Sequence, residues 1–456
     1  MSLIHTHGRH RAGYEIDMLN GPIMPKLLTF AVPLILSSVL QLTFNAADVI
    51  VVGKFEGDAA LAAVGAPGAL INLLVNLFLG LSVGANVVVA RYHGAGDVRQ
   101  TSDGVHTSML LSVLGGVGVG LVGFFLAGTF LSWMNTPADV LPLATAYMRI
   151  YFLGMPANMI YNFGAAILRA VGDTRRPLMY LTIAGVVNVL LNVLFVAAFG
   201  LGVSGVAWAT ITSQVISAVL VTLCLIRTEG AIHLDLKKLR LRAGKVLEIA
   251  RIGLPAGLQG IFFSFSNVII QATVNSFGTV ATAGNTAASN IEGYIYVSMN
   301  AIYQAAITFV SQNVGAYRYE RIGKVTRSAL LAVTGIGLGL GAVLMLFMRT
   351  FFRIYTDDPA VIAAAAVRSS VIAPTYFVCG MMDTMVGVLR GMGSSVAPMI
   401  VSVMGACVFR LFWIAVIYPF NPTLNMLYLS YPISWVITFT VHMLCYLHLK
   451  RRKYTV

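Results

Sequence analysis

Apolar residues run in long blocks along this chain, and short polar stretches separate them. About twenty apolar residues cross the hydrocarbon core of a bilayer as a helix rising 1.5 Å per residue. On that rule the pattern predicts twelve spans, at 27–52, 61–90, 104–132, 139–168, 178–199, 203–226, 247–275, 281–313, 325–348, 361–389, 396–418 and 424–448. The expected fold is an all-α polytopic membrane protein, and the short connections leave no room for a sizeable soluble domain. Any function must reside in the bundle.

The second half of the pattern repeats the first. Pro33 recurs at Pro255 and Phe55 at Phe277, at one offset. Within a residue of that offset, Gly94-Ala95 recurs at Gly315-Ala316, Leu168-Arg169 and Gly172 at Leu389-Arg390 and Gly393, and Pro177 at Pro398. Six spans per copy make both copies start on the same side, so the repeat is parallel, with its pseudo-two-fold along the membrane normal. The expected division is a tail at 1–26, an N-lobe at 27–226, a loop at 227–246, a C-lobe at 247–449 and a basic tail at 450–456.

Composition agrees: 58% of residues are hydrophobic and only 10% charged, far below the quarter typical of soluble domains. A net charge of +13 could suggest nucleic acid, but the basic residues fall in alternate loops. Arg91, Arg99, Arg169, Arg175, Arg176, Lys237 to Lys245, Arg318 to Arg327 and Lys450 to Lys453 are counted on one side. The positive-inside rule then puts both termini in the cytoplasm of a plasma-membrane protein. Cys224, Cys379, Cys407 and Cys445 show no metal or redox spacing and read as packing residues. No P-loop, zincin or nucleophile motif is present, which argues against an enzyme or an ATP-driven pump. His106 and His442 read as satisfied core residues.

Candidate chemistry lies in the polar residues inside the spans. Gln41, Asn45 and Asp48 share one face of the first helix at i, i+4, i+7 spacing. An ionised aspartate there costs about 2.5 to 3.5 kcal/mol on insertion scales, so it is expected to face a cavity or to be protonated and tie helices together. Asn72 with Asn76, Asn158 with Asn162, and Asn188 with Asn192 are i, i+4 pairs. Each is either interhelical glue or part of a site. With Asp48 and Thr210 they offer the hard oxygen ligands that suit H+ or Na+. In the second half Glu292, Asp383 and Arg410 lie within spans, and Arg410 is expected to neutralise at least one of the two acids. The trio is either a static network or the wall of a substrate cavity together with Tyr294. The surrounding methionines read as packing.

The whole chain resembles the multidrug and toxic compound extrusion (MATE) transporters. The resemblance rests on Pro33, Gln41-x6-Asp48-x4-Gly53, Gly94-x-Gly96-Asp97, Leu168-Arg169-Ala170-x-Gly172-Asp173 and Leu389-Arg390-Gly391-x-Gly393. It implies a V-shaped pair of six-helix lobes that exports cationic, amphiphilic compounds by antiport with H+ or Na+ through alternating access. Asp48 matches the family's coupling carboxylate, Asn188 and Asn192 two positions of its cation site, and Thr210 a hydroxyl of that site. These four residues are the implied Na+ ligands. Asn192 is an Asp in part of the family, a seventh-helix acid is replaced by Phe263-Ser264, and Asp383 lies a turn from the family's tenth-helix acid. Asp48 is therefore expected to carry coupling. Gln41, Asn45, Asn162, Glu292, Tyr294, Asp383 and Arg410 are expected around substrate. No cofactor beyond the coupling ion, no nucleic acid and no obligate protein partner are expected; membrane lipid is. The alternatives are a lipid-linked saccharide flippase of the same superfamily and a major-facilitator-like transporter, whose loop signature Ala95 to Gln100 does not supply.

Overall fold

Helix is the only regular structure among residues 14–56, 58–65, 67–134 and 136–454, which a computed structural model of the chain describes. The two predicted terminal tails lie partly outside those residues. Twelve helical rods follow one another: α1 (Ile23–Glu56), α2 (Gly68–Gly94), α3 (Val98–Trp133), α4 (Leu141–Leu153 and Met155–Ala170), α5 (Arg175–Ala198) and α6 (Gly202–Arg227) form the first half. The second half holds α7 (Ala243–Asn275), α8 (Thr279–Gly315), α9 (Tyr319–Arg353), α10 (Pro359–Gly391), α11 (Val396–Phe420) and α12 (Leu424–Lys453). A short helix, Asp58–Gly65, leads into α2.

Among the described residues ten rods are long and apolar enough to cross a membrane. The remaining two, α4 and α8, depart for physical reasons. Helix α4 breaks at Gly154, and Pro156, which has no N–H to give, begins the next piece. Helix α8 buries Asn285, Glu292, Thr308, Ser311, Gln312 and Asn313. It can carry such a polar load because protein rather than lipid surrounds it.

The halves meet most extensively along α2 and α7. Glycines make that approach possible. A Cβ added at Gly80 would lie 2.2 Å from the Gly257 nitrogen, and one at Gly84 would lie 2.3 Å from the Ile249 carbonyl oxygen. Farther along, a Cβ at Gly94 would lie 2.2 Å from the Gln312 oxygen, and one at its repeat mate Gly315 would lie 1.8 Å from the Arg91 oxygen.

Buried hydrogen bonds seal the same region. Thr308 donates to Asn86 Oδ1 (3.1 Å), Asn86 Nδ2 to the Ala166 carbonyl (2.9 Å) and Gln312 Nε2 to the Ala170 carbonyl (2.7 Å). All of these contacts lie toward the face that carries the basic loops.

Helix α1 belongs to both halves. Its early residues Leu27, Phe30, Ala31 and Leu34 share a core with Ile302, Ala305 and Phe309 of α8, and the Phe30 and Phe309 rings meet edge to face at 5.9 Å. Its later residues pack within the first half: Phe44 lies on Gly185 of α5, and Val52 joins the core around Phe152 and Val206. Pro33 sits in the early stretch, where the Ser37 hydroxyl donates to its carbonyl (2.8 Å).

The segment before α1 straps the basic face. The Ile16 N–H donates to the Gly172 carbonyl (3.3 Å), while Asn313 and Arg318 of the second half donate to the Met18 and Leu19 carbonyls (3.3 and 2.7 Å). Gly172 has φ +98°, and a Cβ there would meet the Ile16 backbone at 2.7 Å, so glycine answers two demands. At the other end Tyr454 donates to the Met392 carbonyl (2.6 Å), so both described ends lie on this face.

The stretch joining the halves is ordered. Arg240 and Arg242 reach Asp103 at the start of α3 (3.4 and 2.8 Å), and the Asp235 N–H donates to His106 Nε2 (3.1 Å). His106 Nδ1 lies 2.7 Å from the Ser102 carbonyl, so both ring nitrogens are used.

Candidate functional site

A polar cavity of about 360 Å³ lies between the halves, walled by α1, α2, α4, α5, α6 and α8. Gln41, Asn45 and Asp48 of α1 line it in the i, i+4, i+7 order that the sequence predicts. Asn162 (α4), Asn188 (α5) and Thr210 (α6) join them, with Asn300, Tyr303 and Gln304 opposite on α8.

Asp48 is half-buried and has no cationic partner among the described residues. Asn192 Nδ2 donates to its Oδ1 and also to Asn188 Oδ1 (3.2 Å). The two asparagines can do this because they sit one turn apart on α5, the helix that packs against α1. Directly after Asn192 the helix widens into a π-helical turn, Val193–Ala198, a device common beside functional sites.

The amide oxygen of Asn192 is buried and accepts no hydrogen bond among the described residues. On the cavity wall the Asp48 carboxylate and the Asn188 side chain are accompanied by the Thr210 hydroxyl, whose proton goes to the Val206 carbonyl (2.9 Å). A carboxylate, an amide oxygen and a hydroxyl on one cavity wall suit a small cation, and the carboxylate alone suits a proton.

The second-half candidates lie elsewhere. Glu292, Tyr294, Asp383 and Arg410 do not line this cavity. Glu292 is 2% exposed and is neutralised by Arg368, which the sequence reading missed, rather than by Arg410. Arg368 Nε and Nη2 donate to Glu292 Oε2 (3.0 and 2.8 Å), Ser369 donates to Oε1 (3.2 Å), and Arg368 Nη1 donates to Asn285 Oδ1 (2.8 Å). Tyr428 also donates to Asn285 Oδ1 (3.1 Å), and the guanidinium lies over the Tyr428 and Tyr431 rings.

Arg410 donates to Ser434 (3.0 Å) and stacks 4.2 Å from the Tyr431 centroid. The expected pairing of Arg410 with either acid is thus corrected: among the described residues no ion pair joins them. For Glu292 helix adjacency decides the matter, since α8 packs on α10, which carries Arg368, while Arg410 of α11 meets Ser434 of α12. A buried Glu in the sequence signals a need for a basic partner, and Arg368 within the predicted span 361–389 was available to supply it.

Arg169, counted among the loop cations in the sequence, lines the cavity instead. Among the amide pairs, Asn162 Nδ2 donates to Asn158 Oδ1 (2.9 Å) and Asn76 reaches Ser264 across the halves (3.5 Å). The Asn72 side chain lies outside the described residues.

A twelve-helix bundle of two like halves, with a carboxyl group facing a polar cavity between them, defines a membrane transporter. The MatE family profile matches residues 33–194 and again residues 255–416, so the two matches are displaced by the same offset at both ends. The chain belongs to the MatE family.

It is 27% identical over 405 residues to the probable multidrug resistance protein YpnP of Bacillus subtilis, covering 89% of each chain. It is also 27% identical to the probable multidrug resistance protein NorM of Thermotoga maritima, over 83% of this chain and 82% of the other. A solved structure described as the outward-facing conformation of a multidrug resistance MATE family transporter superposes with a TM-score of 0.90. It is 21% identical, and the match covers 97% of this chain and 99% of that one. The family match sets aside the major-facilitator alternative.

Proposed function

We propose that the protein exports cationic, amphiphilic organic molecules across the plasma membrane, with both termini cytoplasmic, by antiport with H+ or Na+. Asp48 carries the reading: it is a carboxyl group inside the bundle, facing the cavity and held by an amide rather than by a cation. A group so placed can change charge, whereas one in a permanent ion pair cannot. The names of YpnP and NorM, both probable multidrug resistance proteins, support drug export as the activity.

The cycle follows from the packing. Helix α1 is fastened to α8 at its early end and to α5 through Asp48 at its later end. Loading Asp48 with a proton, or Asp48, Asn188, Asn192 and Thr210 with Na+, changes the α1–α5 contact and so biases how the halves meet. The reverse arrangement opens the basic face, which means parting the glycine seam and the bonds through Asn86 and Gln312.

The test is ethidium transport in proteoliposomes under an imposed pH gradient or Na+ gradient, one at a time. One of the two should drive transport, and Asp48→Asn should reduce it to the protein-free background. Full gradient-driven transport in Asp48→Asn would remove Asp48 from the coupling role.

A further inference from the structure

Two charged residues line the cavity, Asp48 and Arg169, and only the first has a hydrogen-bond partner among the described residues. Arg169 closes the cavity wall of α4 that runs from Asn158 through Tyr161 and Asn162, a length of about 16 Å at 1.5 Å per residue. It also borders a smaller void beside Asn86 and Thr308.

Nearby polar groups are engaged with other partners. The Ala166 and Ala170 carbonyls receive Asn86 and Gln312, and the Pro177 carbonyl receives Tyr161 (3.1 Å). The repeat supplies an internal control. Arg390, the mate of Arg169, is occupied by the Tyr303 hydroxyl and by Gln259 Oε1 (2.8 Å).

A guanidinium that faces a cavity with its fork free is costly unless water or an anion completes it. A carboxylate or phosphate does so with paired, charge-assisted hydrogen bonds. We infer that Arg169 is an anion subsite, so that the cavity takes zwitterionic and anionic amphiphiles as well as cations. The acidic group sits at Arg169 and the remainder lies along Asn162, Asn300 and Gln304. This rests on the cavity being the substrate site. The anion comes from a soluble amphiphile or from a phospholipid headgroup, which share this chemistry.

The experiment is equilibrium binding of dansylglycine and of its methyl ester, which lacks the charge, to the full-length protein in phosphatidylcholine nanodiscs. Wild type should bind the acid about tenfold more tightly than the ester. Arg169→Gln should erase that preference while leaving ester affinity unchanged, and Arg169→Lys should keep part of it. If Arg169→Gln does not purify as a monodisperse species, Arg169→Lys carries the test through its reduced preference.

Repeating the measurement with phosphatidylglycerol in the disc separates the sources. Unchanged binding assigns the subsite to soluble cargo, and displacement of dansylglycine assigns it to a lipid headgroup; both support an anion site. Equal binding of acid and ester, no binding of the acid, or a parallel loss of both ligands in Arg169→Gln would overturn it. No gradient enters this measurement, so a failure of coupling at Asp48 and a failure of the anion subsite are read separately.

Discussion

Asp48 and Glu292 are both carboxyl groups set within apolar helices, one in each half, and their surroundings differ in kind. Asp48 faces a cavity and meets one amide donor. Glu292 is sealed, with two donated hydrogen bonds from Arg368 and one from Ser369.

The repeat does not relate them. The offset that carries Pro33 to Pro255 carries Asp48 to Ile270, and it carries Asn188 to Arg410. A duplicated scaffold has therefore diverged, so that Asp48 in one half is free of any cation among the described residues while Glu292 in the other is fixed by Arg368. Buried ion pairs seldom add net stability over apolar packing, yet breaking one side of a pair leaves a costly charge. The second half is thus expected to be sensitive in stability and the first half in transport.

The sharpest way to break the comparison is to neutralise each acid in turn. Asp48→Asn should abolish gradient-driven ethidium transport with little change in melting temperature of the purified protein. Glu292→Gln should do the reverse, lowering the melting temperature while the protein that remains folded still transports. Transport lost at unchanged stability in Glu292→Gln would put a moving charge in the second half as well.

Next in size is the partner. Arg368→Met strands a buried Glu292 and should destabilise the protein by about 3 to 5 kcal/mol. The double change Glu292→Gln with Arg368→Met should recover part of that loss in the same unfolding assay. A double variant less stable than Arg368→Met alone would show that the pair does not act as a unit.

The glycine seam ranks third. The Cβ of Gly84→Ala would stand 2.3 Å from the Ile249 carbonyl oxygen, where backbone must move. The expected cost is about 1 to 3 kcal/mol, charged against the arrangement in which the basic face is sealed. Cysteines placed across α2 and α7 should then cross-link less readily in Gly84→Ala. Unchanged cross-linking would mean that the seam tolerates the added methyl group.

The rods and the repeat were legible in the sequence because both rest on local pattern: length of apolar run, proline position and paired motifs. So were Gln41, Asn45, Asp48 and Asn188 on the cavity wall, through helical spacing, whereas Thr210 came from the family resemblance. Which charge meets which was not legible. Glu292, Arg368, Arg390 and Arg410 come from different helices, and spacing along the chain carries no information about helix neighbours. Arg169 was hidden for another reason. It closes a helix at a motif that reads as a loop, and only the packing of α4 against the cavity reveals that its side of the helix is enclosed.

The smallest expected effect concerns Arg410, within a residue of the position that repeats Asn188. Its guanidinium gives one hydrogen bond to Ser434, and the Tyr431 ring lies 4.2 Å away, with Trp435 at 5.9 Å. Removing the hydroxyl in Ser434→Ala takes the oxygen acceptor but leaves both aromatic faces, which attract the cation on their own. The loss should be about 1 kcal/mol, at the low end for a buried polar partner, and should appear as a small drop in melting temperature with transport intact. A loss as large as that in Arg368→Met would mean that the aromatic faces contribute little, and that Arg410 depends on its one hydroxyl as heavily as Glu292 depends on its arginine.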